Sequence, residues 1–329
     1  MPHHLPLAEF LQAPGPILDV RTSDEYLQGH LPNSISLPLF SNQERAIIGT
    51  TYKRQSKNDA IALGIELITP KLDHLLSSAL LNITLHTRIL CWRGGMRSGF
   101  FARWLELFGI TTFTLQGGYK SYRRSVLRQL AHFNFPHLRV LTGLTGSQKT
   151  LILHALQKHG EQIIDLEGIA LHRGSAFGGI GLPPQPSQEH FENMLANTLE
   201  QIDPTRPVWI EDESKLIGKC HLPPALSHSL KQTPLFYIEK KLEERLHSLV
   251  STYGSAPKNE LKNCVDCIAK KLGSERSSEI KLLIDQEKIR EAFEKLLAYY
   301  DKSYHHFIAQ RNIAHTIALP PFSSIDEWA

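Results

Sequence analysis

The amino-acid sequence predicts two α/β domains in series, the second carrying a helical C-terminal region. Three observations lead there. At 329 residues the chain is too long for one ordinary hydrophobic core. As far as residue 238, short aliphatic and β-branched runs alternate with stretches of helical spacing, the pattern of mainly parallel sheets. Beyond that point Lys, Glu, Leu and Arg recur at helical spacing. The expected boundaries are 1–134, 135–238 and 239–329.

In the first domain, residues 17–20 read as a buried strand and Ser23-Asp24-Glu25 as a helix start, its acids near the positive end of the helix dipole. Residues 35–37 and 88–90 read as further strands, 99–107 as a helix and 111–115 as a strand. After the turn Gln116-Gly117-Gly118, residues 119–132 read as a basic helix that leaves the domain. The second domain is expected to have strands at 138–141, 162–166, 208–211 and 235–238, with a helix over 151–159.

Hydrophobic content of 41% and charged content of 21% describe a globular chain. No apolar run approaches the roughly 20 residues needed to cross a bilayer, so no membrane partner is expected. The N-terminus, MPHHLPLAEF, lacks the basic stretch and apolar core of a secretory leader. Four cysteines (Cys91, Cys220, Cys264, Cys267) are too few and too unevenly spaced for a disulfide scaffold. A cytoplasmic protein with reduced thiols follows. Cys264 and Cys267 have the spacing of half a zinc site, but no second pair stands at a usable distance, so they and Cys220 read as structural.

The net charge of +3 hides an asymmetry. Residues 74–160 hold eleven Lys and Arg and one acid, Glu106, a net +10, whereas the remainder carries −7. A window that long points to a polyanionic partner, nucleic acid first, because phosphate neutralisation dominates such binding.

Both motifs that carry chemistry involve that window. Cys91-Trp92-Arg93-Gly94-Gly95-Met96-Arg97-Ser98 follows a strand and opens a helix. Amides at a helix N-terminus converge on one point, and the two glycines let the loop curl. A cysteine there is stabilised as thiolate, and Arg93 and Arg97 offer paired donors to an oxyanion. Taken alone, the spacing Cys91-x5-Arg97 also admits a cysteine-dependent phosphatase, which would need a general acid as well.

Gly143-Leu144-Thr145-Gly146-Ser147-Gln148-Lys149-Thr150 follows a strand and precedes a helix, the context of a P-loop. Its amides (Gly143, Gly146 and Ser147 among them) would cradle a diphosphate, Lys149 would neutralise it, and Thr150 could bind Mg²⁺. Gln148 stands where that motif has glycine. Asp212 and Glu213 end a strand where a metal-binding acid is expected, and Asp165, His172 and Arg173 mark a second candidate binding stretch. In the basic helix, Lys120, Arg123, Arg124 and Arg128 are candidates for gripping an RNA backbone, with Tyr119 and Tyr122 beside them for stacking on bases.

Asp19-Val20-Arg21, Glu25-Tyr26 and Gly29-His30-Leu31-Pro32, followed by the Cys91 loop, resemble a rhodanese-like domain. Together with Gly117-Gly118-Tyr119-Lys120, Asp165-Leu166-Glu167-Gly168, His172-Arg173-Gly174-Ser175, Gln185-Pro186-Ser187-Gln188, Glu211-Asp212-Glu213-Ser214 and Tyr299-Tyr300-Asp301-Lys302, the chain resembles the tRNA 2-selenouridine synthase family. That resemblance implies a rhodanese-like α/β domain followed by a P-loop NTPase-like α/β domain. It implies a bacterial transferase that geranylates wobble 2-thiouridine from geranyl diphosphate, then replaces the S-geranyl group with selenium from selenophosphate. Selenophosphate would sit at Cys91 with Arg93, Gly94, Gly95 and Arg97, the diphosphate at loop 143–150, and the anticodon region of tRNA on the basic window. No tightly bound cofactor is implied beyond these co-substrates. Two alternatives stay open on the motifs alone: a cysteine phosphatase or sulfurtransferase fused to a kinase-like domain, and a tRNA-binding protein without catalysis.

Overall fold

The computed structural model of the protein describes residues 2–308, 311 and 313–318. They form two compact units, Met1–Gln129 with Glu192–Met194, and Leu130–Phe191 with the chain from Leu195 onward.

The first unit is built on five strands: β1 (His3–Leu5), β2 (Ile17–Asp19), β3 (Ser34–Ser36), β4 (His86–Leu90) and β5 (Thr111–Leu115). They lie in the order β1-β5-β4-β2-β3, every pair parallel. The expected strands are present, each within a few residues of its expected place. The edge strand β1 was not anticipated, because His3 and His4 carry no apolar signal. Helix Ser23–Gln28 starts where Thr22 accepts from the Glu25 amide and the Glu25 carboxylate accepts from the Thr22 amide, a reciprocal cap. Leu18, Ile89, Phe101, Ala102 and Leu105 fill the core between sheet and helices. Arg21 is buried beside it, paired with Asp19 at 2.7 Å, donating to the Gly29 carbonyl at 2.7 Å and lying 3.7 Å from the Tyr119 ring centre. The motif residues Asp19, Arg21, Gly29 and Tyr119 are therefore one packed cluster, and a buried guanidinium needs all of these partners.

The second unit contains β6 (Leu138–Gly143), β7 (Gln162–Ile164), β8 (Val208–Glu211), β9 (Leu216–Ile217), β10 (Cys220–His221), β11 (Leu235–Glu239) and β12 (Ile313–Ala318). The main sheet runs β12-β11-β6-β8-β7, all parallel, and β9 and β10 form a small antiparallel pair. Its central strands are largely apolar, with Val140-Leu141 in β6, Val208-Trp209-Ile210 in β8 and Leu235-Phe236 in β11, as a sheet covered on both faces requires. The strand expected over 162–166 ends at Ile164, because Asp165 turns outward and caps the helix Leu166–Ala170, accepting from the Gly168 amide at 2.7 Å. After β11 come the helices Leu242–Tyr253, Lys258–Leu272, Ser274–Asp285 and Ile289–Ile308. Leu261, Val265, Ile280, Phe293 and Leu297 give them a core of their own, into which Phe177 reaches from the loop after Leu171. Strand β12 lies in the stretch expected to be helical. Cys264 and Cys267 sit on helix Lys258–Leu272, and burial, then the neighbouring Cys267, pushes the Cys264 thiol up to about 11, as suits a packing residue. No helix among the described residues is long and apolar enough to cross a membrane.

Candidate active site

Cys91 directly follows β4. The chain leaves β2 towards β3 on one side and β4 towards β5 on the other, and such a reversal opens a crevice at the carboxyl ends of the strands. Gly94 and Gly118 close the loop around it. Gly94 has φ +64°, and a Cβ there would lie 2.2 Å from the Leu115 carbonyl oxygen. Gly118 has φ +59°, and its Cβ would lie 2.3 Å from the Cys91 carbonyl oxygen and from the Gly94 nitrogen. The Tyr119 amide donates to the Cys91 carbonyl at 2.9 Å and the Lys120 amide to that of Trp92 at 3.0 Å. The turn 116–118 thus clamps the cysteine loop through its backbone. Gly118→Ala should cost about 2–3 kcal/mol of stability in the first unit and disorder the loop, read as a lower urea midpoint with faster alkylation of Cys91.

Arg97 is largely buried and holds Glu25 through two contacts, at 2.6 and 3.2 Å. Burial alone would lower the Arg97 pKa and raise that of Glu25; the pair reverses both, raising Arg97 and lowering Glu25. Arg93 is exposed at the mouth of the loop, as is Gly95. The two arginines that the motif presents as equivalent are therefore in different situations.

In the second unit, β6 returns towards β7 on one side of the sheet and β11 towards β12 on the other, placing loop 143–150 at the second such reversal. The Gly143 amide donates to the Tyr304 hydroxyl at 2.9 Å, and Thr142 also meets that hydroxyl. Gly146 has φ +82° and its Cβ would lie 2.8 Å from the Arg245 carbonyl oxygen. Arg245 braces the loop from behind, donating to the Thr145 carbonyl at 3.1 Å while paired with Asp301 at 2.7 Å. Gln148 adopts φ +65°, a left-handed conformation that costs a non-glycine residue about 1–2 kcal/mol. Its side-chain oxygen accepts from Lys240, which partly offsets that strain. The Ser147 hydroxyl is buried and has no hydrogen-bond partner among the described residues.

Lys149 stands among acids. Burial acts to lower its pKa, but Tyr304, Glu213, Glu167 and Glu211 outweigh it and push the ammonium up to about 12. The Thr150 hydroxyl donates to Glu167 at 2.8 Å, and the Glu167 amide to Glu211 at 3.3 Å. Burial raises the pKa values of Glu167 and Asp212, and raises that of Glu211 well above the usual carboxylate range with help from the Glu167 charge. Glu213 is pushed up to about 8, by burial first and by Glu167 and Asp212, against the pull of Lys149. A carboxyl whose folded pKa lies above its unfolded one stabilises the fold below about pH 4.5, and that stability is lost as pH rises through about 8. The second unit should therefore melt several degrees lower at pH 8.5 than at pH 5, and Glu213→Gln should flatten that slope in thermal melts.

The residues fit a divalent cation only in part. Among the described residues one buried oxygen of Glu211 has no hydrogen-bond partner, but the Thr150 hydroxyl is engaged by Glu167, and Asp212 by Thr142 at 2.9 Å and Arg311 at 3.3 Å. Among the described residues no group of three or more His, Cys, Asp or Glu is arranged to hold a metal ion. Asp165 also meets His154 at 2.9 Å, and Arg173 donates to the Ile180 carbonyl at 2.9 Å, its guanidinium 5.8 Å from the Tyr253 ring centre. The buried Nδ1 of His172 has no hydrogen-bond partner among the described residues, and burial lowers the pKa of the ring.

Lys120, Arg124 and Arg128 are exposed at four-residue spacing along helix Gly118–Ala131, a single basic stripe. Arg123 is turned to Glu192 and to Asn193, at 2.9 Å from the latter. Tyr119 and Tyr122 are 0% and 5% exposed, so neither ring is available to stack on a base. Glu167, Tyr304, Lys240 and Arg245 complete the second site without having been singled out as site residues. Glu167 lay inside a family motif, whereas only the fold brings Tyr304, Lys240 and Arg245 to the loop.

A rhodanese-like domain model matches residues 6–125, and the tRNA 2-selenouridine synthase AAA domain model matches residues 136–318. A tRNA 2-selenouridine synthase from Marinobacter nauticus is 31% identical over 95% of this chain and 94% of its own length. This chain belongs to the tRNA 2-selenouridine synthase family. Members named so from Nitrosomonas europaea and Nitrosomonas eutropha are 39% and 37% identical over 72% and 75% of this chain. The chain spans 63% and 65% of the length of those two synthases, less than two thirds of each.

Proposed function

We propose that this chain converts wobble 2-thiouridine in tRNA to 2-selenouridine in the cytoplasm. In the first step the nucleoside sulfur attacks the C1 carbon of geranyl diphosphate; a C–S bond forms, the C–O bond breaks and diphosphate leaves. In the second, the selenium of selenophosphate bonds to C2 of the uracil ring, the C2–S bond breaks and geranyl thiol leaves, and the P–Se bond breaks with water taking the phosphoryl group as phosphate. Selenophosphate is assigned to the Cys91 loop, with Arg93, Gly94 and Gly95 at its mouth and Arg97 behind. The diphosphate is assigned to Gly143, Gly146, Ser147, Lys149 and Thr150. The stripe Lys120, Arg124 and Arg128 is assigned to the tRNA backbone. One observation carries the reading. A chain similar to a tRNA 2-selenouridine synthase over 95% of its length bears both a glycine-clamped cysteine and a lysine-bearing phosphate loop, each at a strand reversal of its own sheet. A cysteine phosphatase is less well supported, since Glu25, the carboxylate beside the loop, is held as an ion pair by Arg97.

The test is nucleoside mass analysis of tRNA from cells lacking this gene, with and without the wild-type copy. Loss of 2-selenouridine on deletion and its return on complementation are expected. An unchanged 2-selenouridine level in the deletion strain would overturn the assignment.

A further inference from the structure

Ser98 lies in the first turn of helix Met96–Glu106 and is 0% exposed, and Cys91 is 3% exposed. Its hydroxyl oxygen is 3.1 Å from the Cys91 Sγ and 3.3 Å from the Gly95 carbonyl oxygen. Among the described residues it is the hydrogen-bond partner of that sulfur, the neighbouring guanidinium of Arg97 being turned to Glu25. A hydroxyl has one proton to give. While Cys91 is a thiol, its S–H can donate to Ser98 and the hydroxyl proton can rest on Gly95. Once the sulfur is negative it can only accept. The hydroxyl then turns its proton to Sγ, and Gly95 keeps a partner throughout, because the Gly99 amide donates to the same carbonyl at 2.9 Å. The turn therefore leaves no buried polar group unsatisfied, and a buried anion gains a donor where little water reaches it.

We infer that Ser98 is a catalytic residue of the cysteine loop: its hydroxyl reorients from Gly95 to Cys91 and holds the sulfur in its reactive, negatively charged form. The inference rests on the proposed function only in taking the Cys91 sulfur as the reacting atom. Other charged groups about the loop are Arg93 and Arg97 within it, and Asp19, Arg21 and Glu25 beside it; none is altered by a change at Ser98.

Timed alkylation of the full chain with iodoacetamide from pH 5 to 10 tests it. Cys91 labelling is read by peptide mass against the exposed Cys267 as internal reference. Ser98→Ala should slow Cys91 labelling at pH 7 about tenfold while Cys267 labelling is unchanged. Ser98→Thr, which keeps the hydroxyl, should stay near wild type. A Ser98→Ala profile that superimposes on wild type would overturn the inference. So would labelling that rises to the Cys267 rate at every pH, since Ser98 would then act through folding alone. The measurement needs neither tRNA nor a selenium donor, so failure of the transferase reading leaves its result standing.

Discussion

Cys91→Ser is expected to leave cells with geranylated but not selenated wobble nucleoside. The substitution exchanges sulfur for oxygen in a site of the same shape, clamped by Gly94 and Gly118, so the loop should survive it. A hydroxyl keeps the contact with Ser98 but is a far weaker nucleophile than a thiol, so the loop loses the group assigned to the chemistry. Losing a covalently acting group commonly costs a factor on the order of 10³ or more. Diphosphate chemistry in the other unit uses none of these atoms and should continue. Nucleoside mass analysis of the complemented deletion strain reads both products in one sample. Restored 2-selenouridine with the serine variant would remove Cys91 from the chemistry; loss of both nucleosides would show that the two steps are not divided between the two loops.

The other large effect is expected at Lys149. Lys149→Met takes a buried cation away from Glu167, Glu211 and Glu213 while keeping most of the length of the side chain. Breaking a buried ion pair on one side only typically costs about 3–5 kcal/mol. The Lys149 pKa is raised in the fold, so its contribution is fully present below about pH 10.5 and lost as pH rises through about 12. At pH 8.5 the carboxyls left behind are more fully charged than at pH 5.5, and the loss should be larger there. Urea melts of wild type and variant at the two pH values check the sign. Calorimetric titration with pyrophosphate should show at least a tenfold fall in affinity. Equal stability losses at both pH values would mean that Lys149 is not the counter-charge of this cluster.

Much of this architecture was legible because parallel strands and anion loops leave local marks. β2, β8 and β11 are short, mainly apolar runs, and β4 and β6 carry theirs at Ile89-Leu90 and Val140-Leu141. Each loop announces itself by glycines and a charged or nucleophilic residue at a fixed offset from its strand. What stayed hidden depends on partners distant in the chain. Arg97 looks like a ligand until Glu25, 72 residues earlier, is seen to hold it. Gln148 looks like a defect until Lys240, 92 residues later, meets its side chain. Tyr119 and Tyr122 share a helix with exposed arginines, and only the packing of Arg21 on the Tyr119 ring shows that this face points inward. Strand β12 was missed because its partner β11 and the helices between them decide its conformation, not its own six residues.

The clamp on the cysteine loop has a mechanical side. Turn 116–118 is also the start of helix Gly118–Ala131, and the same two amides, of Tyr119 and Lys120, that open the helix hold the carbonyls of Cys91 and Trp92. The arginine stripe and the Cys91 loop are therefore joined through the backbone at one helix start, with Gly118 packed against both. A substitution that reshapes this turn displaces the helix start and the cysteine loop together.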